Sequence, residues 1–140
     1  MSPARPKVLW IDEDYWELPV VGWLVARCGA VVQSAFTVEE GLDILSKCGP
    51  ESRPAAIILD AIVRSALKEK TRERFSGLEV WARLDPEERA RTIVLSVVPY
   101  DQLASESDIP REQFFWKIEL DKRLQEFEDR LRAILTKGDA

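Results

Sequence analysis

The chain has no histidine, two cysteines among its 140 residues, and no apolar run approaching the roughly 20 residues that span a bilayer. The missing imidazole excludes Ser-His-Asp and Cys-His catalysis, the common zinc sites, and any role as a phosphohistidine carrier. Cys28 and Cys48 form no CxxC and have no metal-ligand spacing, and each falls near the end of a helical pattern. They are expected as small buried residues. The net charge of −5 argues against direct nucleic-acid binding, which needs a basic surface to neutralise phosphates. The opening MSPARPKV lacks the apolar stretch of a secretory signal, so a cytoplasmic location, away from the membrane, is expected. Repeats, linkers and low-complexity segments are also lacking.

What is present is an ordinary globular composition, 46% hydrophobic and 32% charged. The length suits one domain, 1–140, which buries about two-thirds of its unfolded surface without staples.

Strand and helix patterns alternate five times. Lys7–Ile11 is a short apolar run ending in Asp12-Glu13-Asp14. Leu18, Val21, Leu24, Val25 and Cys28 recur at helical spacing until Gly29, with Pro19 placing the helix start near Leu18 rather than Tyr15. Ala30–Ala35 reads as a second strand. Thr37-Val-Glu-Glu40 is a capping box whose helix buries Val38, Leu42, Leu45 and Cys48 and stops at Gly49-Pro50. Ala55–Leu59 is continuously apolar, as in a central strand covered on both faces, and ends at Asp60. Ser76-Gly-Leu-Glu79 reads as another capping box, opening a helix that runs to Leu84. Thr92–Val98 and Gln113–Trp116 are the fourth and fifth strands. A last helix from near Asp121 to Leu135 presents Leu124, Phe127, Leu131 and Ile134 on one face.

This alternation predicts an α/β fold: a doubly wound, five-stranded parallel sheet with helices on both faces and strand order 2-1-3-4-5. Ligands in such sheets sit at the carboxyl ends of the strands, where strand order reverses, and Asp12, Glu13 and Asp60 all fall there. Three carboxylates at one edge repel unless a cation intervenes. Oxygen-only ligands select a hard cation such as Mg²⁺. An aspartate can also attack phosphorus and form an acyl phosphate, and the transferring group then needs donors and positive charge. Ser96 and Lys117 offer these at the ends of strands four and five. Taken singly, IDED is a turn with Asp14 as a helix cap, Ser96 a satisfied core hydroxyl, and Lys117 a solvated strand end. Asp60 is different, because a carboxylate ending an apolar central strand needs a partner.

From Lys7 to Leu135 the sequence resembles the receiver domains of bacterial two-component response regulators. The resemblance rests on the acidic pair in VLWIDED, the aspartate of AAIILD, the hydroxyl of IVLSVV, the lysine of FFWKIEL and the glycine-led SGLEVWARL. It implies that Asp60 is the phosphoacceptor and that Asp12, Glu13, Asp60 and the Ile62 backbone carbonyl hold Mg²⁺. It implies that Ser96 and Lys117 bind the phosphoryl group, with Ser96 and Phe114 as switch residues; Phe114 reads equally as plain core. The expected partners are a sensor histidine kinase or phosphotransfer protein and a downstream protein target, with homodimerisation left open. Such a chain is an acceptor in a phosphorelay, not an enzyme.

The chain departs from the family pattern in several places. Arg64 stands where the family has proline, and Gly77 lies seventeen residues after Asp60. The intervening insertion, about 62–76, carries five basic and two acidic residues over VRSALKEKTRERFS. It reads as a solvated helical extension or as a docking element beside the site. Ile118 replaces the family's proline after the lysine, so no cis peptide is expected there. Pro99–Gln113 has little helical periodicity, which predicts a short or displaced fourth helix on the family's usual output face. Ile62 and Val98, two residues after Asp60 and Ser96, would tend to exclude water and slow acyl-phosphate hydrolysis. Two alternatives stand: a degenerate receiver acting only as a protein-interaction module, and a haloacid-dehalogenase-type phosphatase using Asp12-x-Asp14. The second lacks a later paired-acid strand. Whether the chain acts alone or within a larger protein is left open.

Overall fold

A computed structural model describes residues 5–13, 18–62 and 76–137. The expectations for Asp14, Tyr15, Arg64 and the basic segment 63–75 therefore lie outside the described residues. The elements run β1 (Lys7–Ile11), α1 (Pro19–Arg27), β2 (Val31–Ala35), α2 (Val38–Lys47), β3 (Ala56–Asp60), α3 (Gly77–Arg83) and α4 (Pro86–Ala90). They continue with β4 (Thr92–Ser96), α5 (Tyr100–Ala104), β5 (Phe114–Trp116) and α6 (Leu124–Lys137). The strands form one parallel sheet in the order β2-β1-β3-β4-β5, as expected.

Alternation along each strand feeds two cores. Val8, Trp10, Ile58, Ile93, Leu95 and Phe115 point to one face and meet Val21, Leu24 and Val25 of α1 and Phe127, Leu131 and Ile134 of α6. Leu9, Ile11, Ile57, Leu59, Val94 and Phe114 point to the other and meet Val38 of α2, Val80 and Trp81 of α3 and Leu103 of α5. This two-sided burial is why β3, and β4 after Thr92, are apolar until their last residues. The first face is tied by charge as well: Glu128 accepts from Arg27 at 2.9 Å and from Arg132 at 3.2 Å, joining α1 to α6.

Local signals explain most boundaries. Thr37 Oγ1 accepts the Glu40 amide at 3.0 Å, a cap worth about 1 kcal/mol. The Glu40 carboxylate reaches back one residue further than expected, to the Phe36 amide at 3.4 Å. The Ser76 capping box does not form. Ser76 has helical backbone angles, φ −61° and ψ −29°, so its side chain makes no cap bond, and its carbonyl accepts the Glu79 amide instead. A helix that the apolar pattern did not reveal, α4, opens on a complete capping box between Asp85 and Glu88. The fourth strand ends at Ser96 rather than Val98, and the following helix α5 has only five residues, in keeping with its weak periodicity. A 3₁₀ segment, Lys117–Lys122, delays the last helix to Leu124. Cys28 and Cys48 are half-buried free thiols rather than fully buried ones. No cis peptide occurs among the described residues. None of the described helices is long and apolar enough to cross a membrane.

Candidate functional site

Strand register assembles the site. Ile11 pairs with Leu59, which sets Asp12 level with Asp60, and the Asp12 amide extends the ladder to the Ala35 carbonyl at 2.9 Å. Asp60 pairs with Leu95, so Ser96 lies one residue beyond it on the neighbouring strand. Ser96 pairs with Trp116, which places Lys117 at the next position. Four of the expected residues thus end adjacent strands on the carboxyl edge.

Asp12 is fully buried and Asp60 is 4% exposed. The Lys117 ammonium lies between them, 3.0 Å from Asp12 Oδ2 and 2.7 Å from Asp60 Oδ2. The other Asp60 oxygen, Oδ1, accepts the Ile62 amide at 2.9 Å. Burial raises the Asp60 carboxyl to about 7; Lys117 pulls it down and Asp12 pushes it up, but loss of solvent dominates. Desolvation alone would lower Lys117, yet the Asp60 and Asp12 carboxylates hold its ammonium above the ordinary lysine range. Among the described residues, the Lys117 ammonium serves both buried acids.

Ser96 is fully buried, and its Oγ accepts the Val98 amide at 3.1 Å, keeping the hydroxyl proton available for donation elsewhere. Trp116 donates its indole N–H to the Val97 carbonyl at 3.0 Å, bridging the segments that follow Ser96 and precede Lys117. Phe114 is buried and meets Tyr100 edge-to-face, with ring centroids 5.3 Å apart. Ile62 and Val98 are half-buried against the second core. Glu13, the remaining expected metal ligand, is half-buried at the residue after Asp12.

Gly77 proves more closely tied to the site than a helix start. A Cβ built on it would lie 2.0 Å from the Asp60 carbonyl oxygen and 2.9 Å from the Ala61 carbonyl carbon and oxygen. Its own N–H donates to the Ala61 carbonyl at 2.8 Å. Only glycine fits this approach of α3 to the end of β3. SGLEVWARL hints at the glycine, but its long separation from Asp60 in the chain hides the contact.

Among the described residues no group of three or more acidic, histidine or cysteine side chains forms a ready metal cage. The donor set nevertheless fits Mg²⁺, which takes one or two carboxylates and completes its shell with water and phosphate oxygens. Asp12 and Asp60 supply two buried carboxylates at one strand edge, the hard oxygen donors such a cation takes.

No family model matches the chain, and no curated protein matches its sequence. Solved structures do match its shape. A response regulator from Thermotoga maritima superimposes with a TM-score of 0.66 at 18% identity, covering 95% of this chain and 99% of the other. A receiver-domain protein from Clostridium thermocellum gives 0.61 at 17% identity over 96% and 97%. A phosphorylated cyanobacterial phytochrome response regulator gives 0.61 at 19% identity over 94% and 91%. By its strand order, helix placement and these similarities, the chain has the fold of response-regulator receiver domains.

Proposed function

We propose that this chain is a phosphorelay receiver that accepts a phosphoryl group on Asp60. The observation that carries the reading is the buried Asp12–Lys117–Asp60 arrangement at the strand ends, which supplies a nucleophile, metal-type carboxylates and a cation for phosphoryl oxygens together. An Asp60 carboxylate oxygen attacks the phosphorus of a phosphohistidine on a sensor kinase or phosphotransfer protein. The new P–O bond forms as the P–N bond breaks, and the electron pair leaves on the imidazole. Lys117 then faces phosphoryl oxygens in place of a bare carboxylate, and the Ser96 hydroxyl supplies a neutral donor. Asp12, Asp60, Glu13 and the Ile62 carbonyl would hold Mg²⁺, which supplies charge neutralisation for the incoming group. The chain acts as an acceptor rather than an enzyme, in the cytoplasm, and passes its state to a downstream protein.

Incubation with Mg²⁺ and a small acyl-phosphate donor, followed by intact mass, tests the reading. The wild type should gain one phosphoryl group and Asp60→Asn none. No gain in the wild type, or an equal gain in the variant, overturns the assignment.

A further inference from the structure

We infer that Gly77 is a positioning residue for the phosphoacceptor, acting through the Ala61–Ile62 peptide; the inference deepens the proposed function and rests on it. The carbonyl of this peptide unit accepts the Gly77 N–H at 2.8 Å, and its N–H donates to Asp60 Oδ1 at 2.9 Å. The C=O and N–H of a trans peptide point in opposite directions, so the two bonds form one line: Gly77 N–H to Ala61 carbonyl, then Ile62 N–H to the Asp60 carboxylate. Each bond in such a line polarises the next, and the low dielectric around buried Ala61 and Asp60 strengthens both.

The preceding peptide is held equally firmly. The Ala61 N–H donates to Leu95 of β4 at 2.9 Å, and the Asp60 carbonyl lies against the bare Cα of Gly77. Two consecutive peptides after the acceptor are therefore fixed, one by close approach and one by the relay. With Oδ1 bound by the Ile62 N–H, the carboxylate is oriented with Oδ2 on Lys117. The missing side chain at residue 77 is what permits the relay. A Cβ at 2.0 Å from backbone must push α3 away, and the Gly77 N–H leaves with it. Position 77 is thereby tied to the direction of the Asp60 oxygens, although residue 77 touches neither the carboxylate nor the lysine.

Two measurements test this. In the amide NMR spectrum of Asp60→Ala, the Ile62 and Gly77 protons should both move upfield, because the relay has lost its final acceptor. Movement of Ile62 with Gly77 unchanged overturns the relay. Second, Gly77→Ala should lower the rate constant for phosphorylation by an acyl-phosphate donor by about tenfold or more, as misplacement of a reacting group does. Leu84→Val, in the same core at the end of α3, should lose stability while keeping that rate within about twofold of wild type. Equal slowing in both variants, or none in Gly77→Ala, overturns the role. A wild type that takes no phosphoryl group refutes the proposed function, while the amide shifts still decide the relay.

Discussion

Replacing Asp60 by asparagine should make the metal-free protein more stable at pH 8. The carboxyl is raised from 3.8 to about 7 by burial, so the folded state holds a proton between those values that the unfolded chain has released. Stability then falls as pH rises through that window and stays reduced above it. A shift of about 3 units corresponds to about 4 kcal/mol. The amide of asparagine cannot satisfy both Lys117 and the Ile62 N–H as an acceptor, which offsets roughly 1 kcal/mol. Lys117 keeps Asp12 at 3.0 Å, so no unpaired buried cation results. The coupling of Asp60 to Lys117 trims the gain further, leaving ~1–3 kcal/mol. Urea unfolding in EDTA at pH 5, 6, 7 and 8 should show the two proteins diverging as pH rises, with the variant above. Parallel pH profiles, or a variant less stable at pH 8, would refute the claim that burial of this carboxylate dominates the site.

Mg²⁺ should narrow or close that gap by stabilising the wild type by about 1–3 kcal/mol at roughly 10–100 times its Kd. Asp12→Asn should lose most of this gain, read as the metal-dependent shift of the thermal midpoint. Arg27→Ala should weaken the α1–α6 junction at neutral pH, because the Arg27 hydrogen bond holds the Glu128 carboxyl below its ordinary range. That contribution is present above the unfolded glutamate pKa and lost as pH falls through the folded value, so denaturation curves of variant and wild type should converge in acid. The acyl phosphate should hydrolyse slowly, because Ile62 and Val98 pack as aliphatic groups beside the site. Val98→Asn should shorten its lifetime by roughly tenfold, about 1.4 kcal/mol of barrier, and a wild-type half-life of seconds would count against the idea.

The parts of the fold legible in sequence are those where burial is strong and periodic. β1, β3 and β4 stand out because both faces are covered, and α2 and α6 because their buried stripes repeat at helical spacing. α4 was not legible from its stripe, since PEERA buries no residue and announces itself only through Asp85 and Glu88. Ser76 carries the letters of a cap, but the chain enters α3 already turned, a backbone property that residue types do not encode. Gln113 reads as the start of a strand, whereas it is a buried tie donating to the Arg89 and Thr92 carbonyls. At the site, Asp12, Asp60, Ser96 and Lys117 could be placed by counting to strand ends. The sharing of one lysine between two acids and the contact of Gly77 with Asp60 depend on register and helix docking, which become visible only in three dimensions.

Sequence separation at the site has a consequence for how the protein comes into being. The Asp12–Lys117 pair spans 105 residues and the Arg27–Glu128 pair 101. The cation that both buried acids share follows β5 directly, whereas Asp12 and Asp60 come from the first half of the chain. During synthesis the two acids must therefore wait for a lysine that emerges late, and closing such long loops carries its entropic cost before the pairing can offset it. A chain interrupted before Lys117 would present the acids without their ammonium, and so would lack the arrangement on which the proposed function rests. The complete cluster is thus a property of a chain made at least through Lys117, and detection of the Lys117–Asp12 pair would report that the ends of the first and last strands have found each other.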